Sequence, residues 1–97
     1  MNDTRVKEVF EELVALHDKK QSDYGREHDP FANVRASSEW GLPPWVGAMV
    51  RANDKMKRLQ KAARGGTMAN ESVVDSFDDL IVYTAIAKVL YLEEQES

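Results

Sequence analysis

The chain has 97 residues, is 42% hydrophobic and 31% charged, carries a net charge of −4 and contains no cysteine. That is enough chain for one compact domain, taken as residues 1–97, and too little for two; a three-helix unit of this size has a thin core, so partner subunits are expected. A disulfide framework and Cys-ligated zinc are excluded, and the acidic balance argues against a general DNA- or RNA-coating role. The polar start (MNDTRVKEVFEE) has no apolar signal core and no charge-free run reaches transmembrane length, so a cytoplasmic location without membrane contact is the expectation.

In chain order, the first periodic segment runs from about Asp3 to Tyr24. Val6, Val9, Phe10, Leu13, Val14 and His17 recur at the three- and four-residue intervals of an amphipathic helix. Asn2, Asp3 or Thr4 can cap it, and Gly25 can end it. Between Gly25 and Pro44 the pattern breaks at Asp29-Pro30 and Leu42-Pro43-Pro44. A short helix near 31–39 fits there, with Asp29 as its cap and Pro30 at its first position. Phe31, Trp40 and Trp45 predict that this long connection packs down and is functional.

The second long helix is predicted over about 44–64, stopped by Gly65-Gly66. Val46, Met49, Val50, Asn53, Met56, Leu59 and Gln60 are read as its inward face, with Lys57, Lys61 and Arg64 outward. The third is predicted over about 71–92, capped by Asn70 or Ser72. From Leu80 to Tyr91 it is apolar nearly all round, which one neighbour cannot cover, so a subunit interface is expected there. The fold class is therefore all-α: an antiparallel bundle of three main helices plus the short one, completed by oligomerisation.

Two charged stripes invite a chemical reading. Glu71, Asp75, Asp78 and Asp79 fall at i, i+4, i+7 and i+8, on one side of the third helix. Like charges so placed repel, and the counter-charge can be side chains or a hard cation such as Mg²⁺ (Mn²⁺ as a substitute), which takes carboxylate oxygens and keeps sites for substrate phosphates. Arg51, Asp54, Lys55 and Arg58 share a face of the preceding helix; in an antiparallel hairpin they look onto the acidic stripe, where the cations can hold phosphate oxygens. The plainer reading is a set of solvated salt bridges. A third cluster, Lys19 to Gly25 followed by Asp29 to Arg35, gathers basic, amide and aromatic groups. Tyr24, Phe31 or Trp40 could stack on a base and Asn33 could read its edge; for the aromatics, ordinary packing is the competing reading. His17 is read as a core-edge residue and His28 as a loop residue, not as a ligand pair.

Lys20-x-x-Asp23-Tyr24-Gly25, Asp29-Pro30-Phe31-Ala32-Asn33, Arg51-x-x-Asp54-Lys55-x-x-Arg58-Leu59 and Glu71-Ser72-x-x-Asp75-x-x-x-Asp79-Leu80-x-x-Tyr83, in that order, resemble the MazG-like all-α nucleoside triphosphate pyrophosphohydrolase superfamily, in particular a compact branch common in bacteriophages and linked to nucleotide modification. The resemblance covers roughly residues 19–90. It implies Mg²⁺ held by an E-x-x-E pair on one helix and an E-x-x-D pair on the next, and cleavage of a nucleoside triphosphate to monophosphate and pyrophosphate in the host cytoplasm. Carried over, Asp54, Glu71, Asp75, Asp78 and Asp79 would be metal ligands, with Asp54, Glu71, Asp75 and Asp79 catalytic. Lys20, Asp23, Tyr24, Asn33, Arg51, Lys55 and Arg58 would bind substrate. The first pair departs from the pattern, because Arg51 stands where a carboxylate belongs. Three functions follow as expectations: a pyrophosphohydrolase acting on a standard or modified nucleotide, a nucleotide-binding accessory protein without turnover, and a helical assembly protein.

Overall fold

The structure is a computed structural model that describes residues 2–24, 31–66 and 72–96, and of residues 20–24, 32 and 33 the backbone alone. Every regular element among the described residues is helical: α1 (Arg5–Tyr24), α2 (Ala32–Arg35) running into a 3₁₀ turn (Ala36–Trp40), α3 (Pro44–Ala63) and α4 (Val73–Glu96). No helix is long and apolar enough to cross a membrane among the described residues. The chain divides into two compact units, residues 1–30 and 31–97.

The first unit is α1. Asp3 prepares its start by accepting the Arg5 backbone N–H at 3.0 Å, and the Thr4 carbonyl accepts the Glu8 N–H at 3.0 Å, the first intrahelical bond. Leu13 is buried and His17 half-buried, as read from the sequence. Gly25, His28 and the proposed Asp29-Pro30 cap lie outside the described residues.

The second unit is a helical hairpin with α2 set against one end. Pro44 occupies the first turn of α3, where its missing N–H costs nothing. The helix ends in a Schellman turn: Gly65 takes φ +83°, its N–H donates to Ala62 O at 3.0 Å, and the Gly66 N–H reaches Lys61 O at 2.9 Å. Ser72 caps α4, its hydroxyl accepting the Asp75 N–H at 3.0 Å. Cross-helix contacts Trp45–Tyr91, Arg51–Tyr83 and Lys55–Asp79 descend on one helix as they climb on the other, so α3 and α4 are antiparallel. Arg35 of α2 joins this unit through an ion pair to Glu93 at 3.3 Å.

The seam is made by a different stripe from the one expected. Ala48, Ala52 and Lys55 are buried, with Trp45 and Leu59 half-buried, whereas Met49, Val50, Asn53, Met56 and Gln60 are exposed. Small side chains govern how closely two helix axes approach, so α4 settles on the alanine stripe and the larger apolar residues remain outside it. Ala48 meets Val34, Ile86, Ala87 and Leu90, and Phe31, Trp45, Val82 and Tyr83 pack around this cluster. Gly47 is what lets α2 in: a Cβ there would lie 2.5 Å from Val34 O and 2.9 Å from the Ser37 side chain. Trp40, expected to pack down, is 85% exposed instead. It is the last residue of the 3₁₀ turn, followed by Gly41 at φ +76°, while Ser37 holds the inner side by donating to Pro43 O at 3.0 Å. Phe31 and Trp45 do pack down. On α4, Val73, Val74, Phe77, Val89, Tyr91 and Leu92 stay about half exposed, and the helix runs on to Glu96 rather than ending near Leu92.

Candidate functional site

The antiparallel register sets the charged stripes of α3 and α4 side by side. At its centre, Lys55 Nζ lies 3.1 Å from Asp79 Oδ2. Lys55 is buried, whereas the Asp79 side chain is 37% exposed, so the pair runs from the seam out to its edge. One turn earlier in α3, the Arg51 guanidinium donates to the Tyr83 hydroxyl at 3.4 Å and sits 5.5 Å from the centre of its ring. A planar cation tolerates this double use of a tyrosine better than an ammonium does. Trp45 and Tyr91 close that end of the hairpin edge-to-face, 6.0 Å between ring centres at 82°.

The other sequence-derived residues are placed as follows. Asp54 and Arg58 are exposed on α3, Asp75 is exposed in the first turn of α4, and Asp78 is half-buried beside Asp79. Asp75 sits where the positive end of the helix favours a carboxylate. Lys20, Asp23 and Tyr24 lie in the last turns of α1 and Asn33 in α2, with side chains outside the described set; Glu71 lies outside it entirely. Arg51, Lys55 and Asp79 are therefore brought to one edge. Asp54, Asp75, Asp78 and Asp79 do not converge on a point: no group of three or more His, Asp or Glu among the described residues is placed to hold a metal ion. Mg²⁺ is commonly held by one or two carboxylates plus substrate phosphates, so hard-oxygen donors spaced along α4 suit a substrate-borne ion better than a ready-made cage.

Two residues at this edge were given no role in the sequence reading. Tyr83, part of the quoted motif, is the partner of Arg51; its i+4 spacing from Asp79 was the available signal. Ser76 is wholly buried on α4, and its hydroxyl has no hydrogen-bond partner among the described residues. A serine between acidic residues reads as surface, so only coordinates reveal that it lies inside.

No family model, curated protein or solved structure matches this chain at a significant level.

Proposed function

We propose that the α3–α4 edge binds the phosphates of a nucleoside triphosphate and that the chain, with Mg²⁺, hydrolyses that nucleotide to monophosphate and pyrophosphate. The observation that carries this reading is the Lys55–Asp79 contact at 3.1 Å, with Arg51 on Tyr83 beside it. Cations and carboxylates here share one edge of a rigid hairpin, the juxtaposition that phosphate and substrate-borne Mg²⁺ both require. Arg51, Lys55 and Arg58 would hold phosphate oxygens. Asp54, Asp75, Asp78 and Asp79, with Glu71, would supply metal ligands and orient the attacking water, and Asn33 would meet the nucleoside. Bound Mg²⁺ would neutralise phosphate charge and acidify water.

The test is a screen of standard and modified ribo- and deoxyribonucleoside triphosphates with Mg²⁺ or Mn²⁺, read as pyrophosphate release. Release that depends on metal and is lost in Asp75→Asn supports the proposal; no release with any nucleotide rejects hydrolysis.

A second reading, nucleotide binding without turnover, is favoured by two observations: Arg51 in place of a carboxylate, and acidic groups that do not converge among the described residues. Anything that binds only the folded state raises its melting temperature, so this reading expects a nucleotide-induced shift that survives a chelator. A chain that responds to no nucleotide at all would instead be the helical assembly protein.

A further inference from the structure

The short helix α2 meets the hairpin at a place fixed by both long helices. Gly47, Arg51, Asp54 and Arg58 fall at i, i+4, i+7 and i+11, on one face of α3. Gly47 is the end of that face where the α2 backbone comes in, against Val34 O and the Ser37 side chain. On α4, Asp79, Val82, Ile86 and Glu93 also share a face, at i, i+3, i+7 and i+14. There the Arg35 guanidinium of α2 donates to Glu93 through two nitrogens, Nη1 to Oε2 at 3.3 Å and Nη2 to Oε1 at 3.4 Å. It also lies 5.5 Å from the centre of the Phe31 ring. With Val34 buried against Ala48, Ile86, Ala87 and Leu90, α2 lies across both helices and closes one end of the edge between them. The charged part begins beyond it: Arg51 is ~6 Å of helical rise from Gly47, and Lys55 ~12 Å. Over that stretch α4 offers Val82 and Ile86, so the edge passes from charged to apolar as it nears α2.

Given the nucleotide reading of this edge, on which the role rests, we infer that Arg35 is a positioning residue: its fork to Glu93 holds α2 as the wall against which the nucleoside is placed. Phosphates belong with Arg51, Lys55 and Arg58, so the sugar and base extend either toward α2 or toward the first turn of α4. The second direction offers the charged Asp75 and Lys61. The first offers Val82 and the half-buried Phe31, apolar surface that an aromatic base covers at little cost. Asn33, assigned to the nucleoside under the proposed function, stands on this same short helix. Four helical residues do not hold their own geometry, because so short a helix is unstable alone. The setting of α2 comes from what it touches. Gly47 fixes its approach to α3, and the two-pronged Arg35–Glu93 contact fixes it against α4, a task that suits a guanidinium fork better than an ammonium. The two side chains are 41% and 50% exposed, so the pair adds little to overall stability. Its loss is felt instead as a smaller fraction of chains with α2 correctly set. Affinity for a nucleotide falls with that fraction; affinity for its phosphates alone does not.

Isothermal titration calorimetry of the full chain with Mg²⁺ separates the two parts of the ligand. The probes are inorganic tripolyphosphate, for the charged edge, and the α,β-methylene analogues of the standard ribo- and deoxyribonucleoside triphosphates, which carry the nucleoside and resist cleavage. The original chain should bind at least one analogue more tightly than tripolyphosphate. Arg35→Gln and Glu93→Gln should each weaken that analogue about fivefold and leave tripolyphosphate within about 1.5-fold. One contact is lost in either case, so the double change should be no weaker than the single ones, whereas independent roles would multiply to about 25-fold. Arg35→Lys, which keeps the charge and loses the fork, should fall between. Far-UV circular dichroism checks the fold, and Glu93→Gln carries the test alone if Arg35→Gln disturbs it. An original chain that binds tripolyphosphate as tightly as every analogue, a loss shared equally by the two kinds of probe, no loss with either, or a multiplied loss in the double variant overturns the positioning role and leaves phosphate binding standing. An original chain that binds neither tripolyphosphate nor any analogue overturns the nucleotide reading itself, and this role with it.

Discussion

The Lys55–Asp79 pair makes an asymmetric prediction. Lys55 is in the seam, its side chain 11% exposed, and Asp79 reaches it from a position 37% exposed. Removing the carboxylate of a fully buried pair costs about 3–5 kcal/mol, because the remaining charge must then be carried in a poor solvent. Asp79 is partly in water, which screens the interaction, and Asp75 and Asp78 one turn and one residue away repel it by a few tenths of a kcal/mol. Asp79→Asn should therefore cost about 1–2 kcal/mol, a fall in melting temperature of about 4–8 °C per kcal/mol for a domain of this size. Lys55→Met is different. It removes the charge that needed compensation and fills the same volume with an apolar chain, so stability should change by less than about 1 kcal/mol. Urea unfolding followed by circular dichroism, with m-values compared, measures both. The reasoning is refuted if Lys55→Met costs as much as Asp79→Asn, or if Asp79→Asn stabilises the metal-free chain. The latter is what relief of carboxylate repulsion alone would give.

Ser76→Ala should stabilise the chain by about 1 kcal/mol, because it deletes a buried hydroxyl that has no partner among the described residues and leaves almost no cavity; the urea midpoint reports it, and a loss of that size would mean the hydroxyl is satisfied in solution. Gly47→Ala should destabilise by about 1–3 kcal/mol despite alanine's better helix propensity, since the new methyl meets Val34 O at 2.5 Å; thermal melts showing a gain would refute close packing of α2 on α3. The Asp3 carboxyl should titrate below the ordinary carboxylate range because the Arg5 side chain, then its backbone N–H, bonds the charged form, and NMR titration of Arg5→Ala should return it upward. Its small contribution is present above the unfolded pKa and fades as pH falls through the lowered value.

Most of the architecture was legible because its punctuation is chemical. Pro44, Gly65, Ser72 and the Thr4–Arg5 start each act through backbone geometry that residue type nearly dictates, and each sits where it was expected. Side-chain burial was harder. Hydropathy pointed to Met49, Val50 and Met56 as the inward face of α3, but a helix seam is selected by shape as well as by polarity, and Ala48 and Ala52 offer the closer approach. A lysine completes that stripe, which no apolar pattern reveals; its pairing with Asp79 follows from register alone. Trp40 was misplaced for the opposite reason, since its size invites burial while the left-handed Gly41 beside it holds the turn at the surface.

The same register constrains what a nucleotide would have to do here. Arg51 is held by Tyr83 and Lys55 by Asp79, so the cations most suited to phosphate are already engaged on α4. A triphosphate docking on this edge would trade those contacts for its own, and the Asp79 carboxylate given up by Lys55 would become available to a cation arriving with the phosphates. The Lys55 exchange keeps each charge paired, so it costs less than building an acidic cage in advance. An acidic cluster that waits for its metal must bear mutual repulsion throughout, whereas a carboxylate paired with Lys55 is relieved of part of it. Under the proposed function, arginine at position 51 would leave a site whose resting state is balanced by side chains and whose acidic groups become available only when the ligand binds.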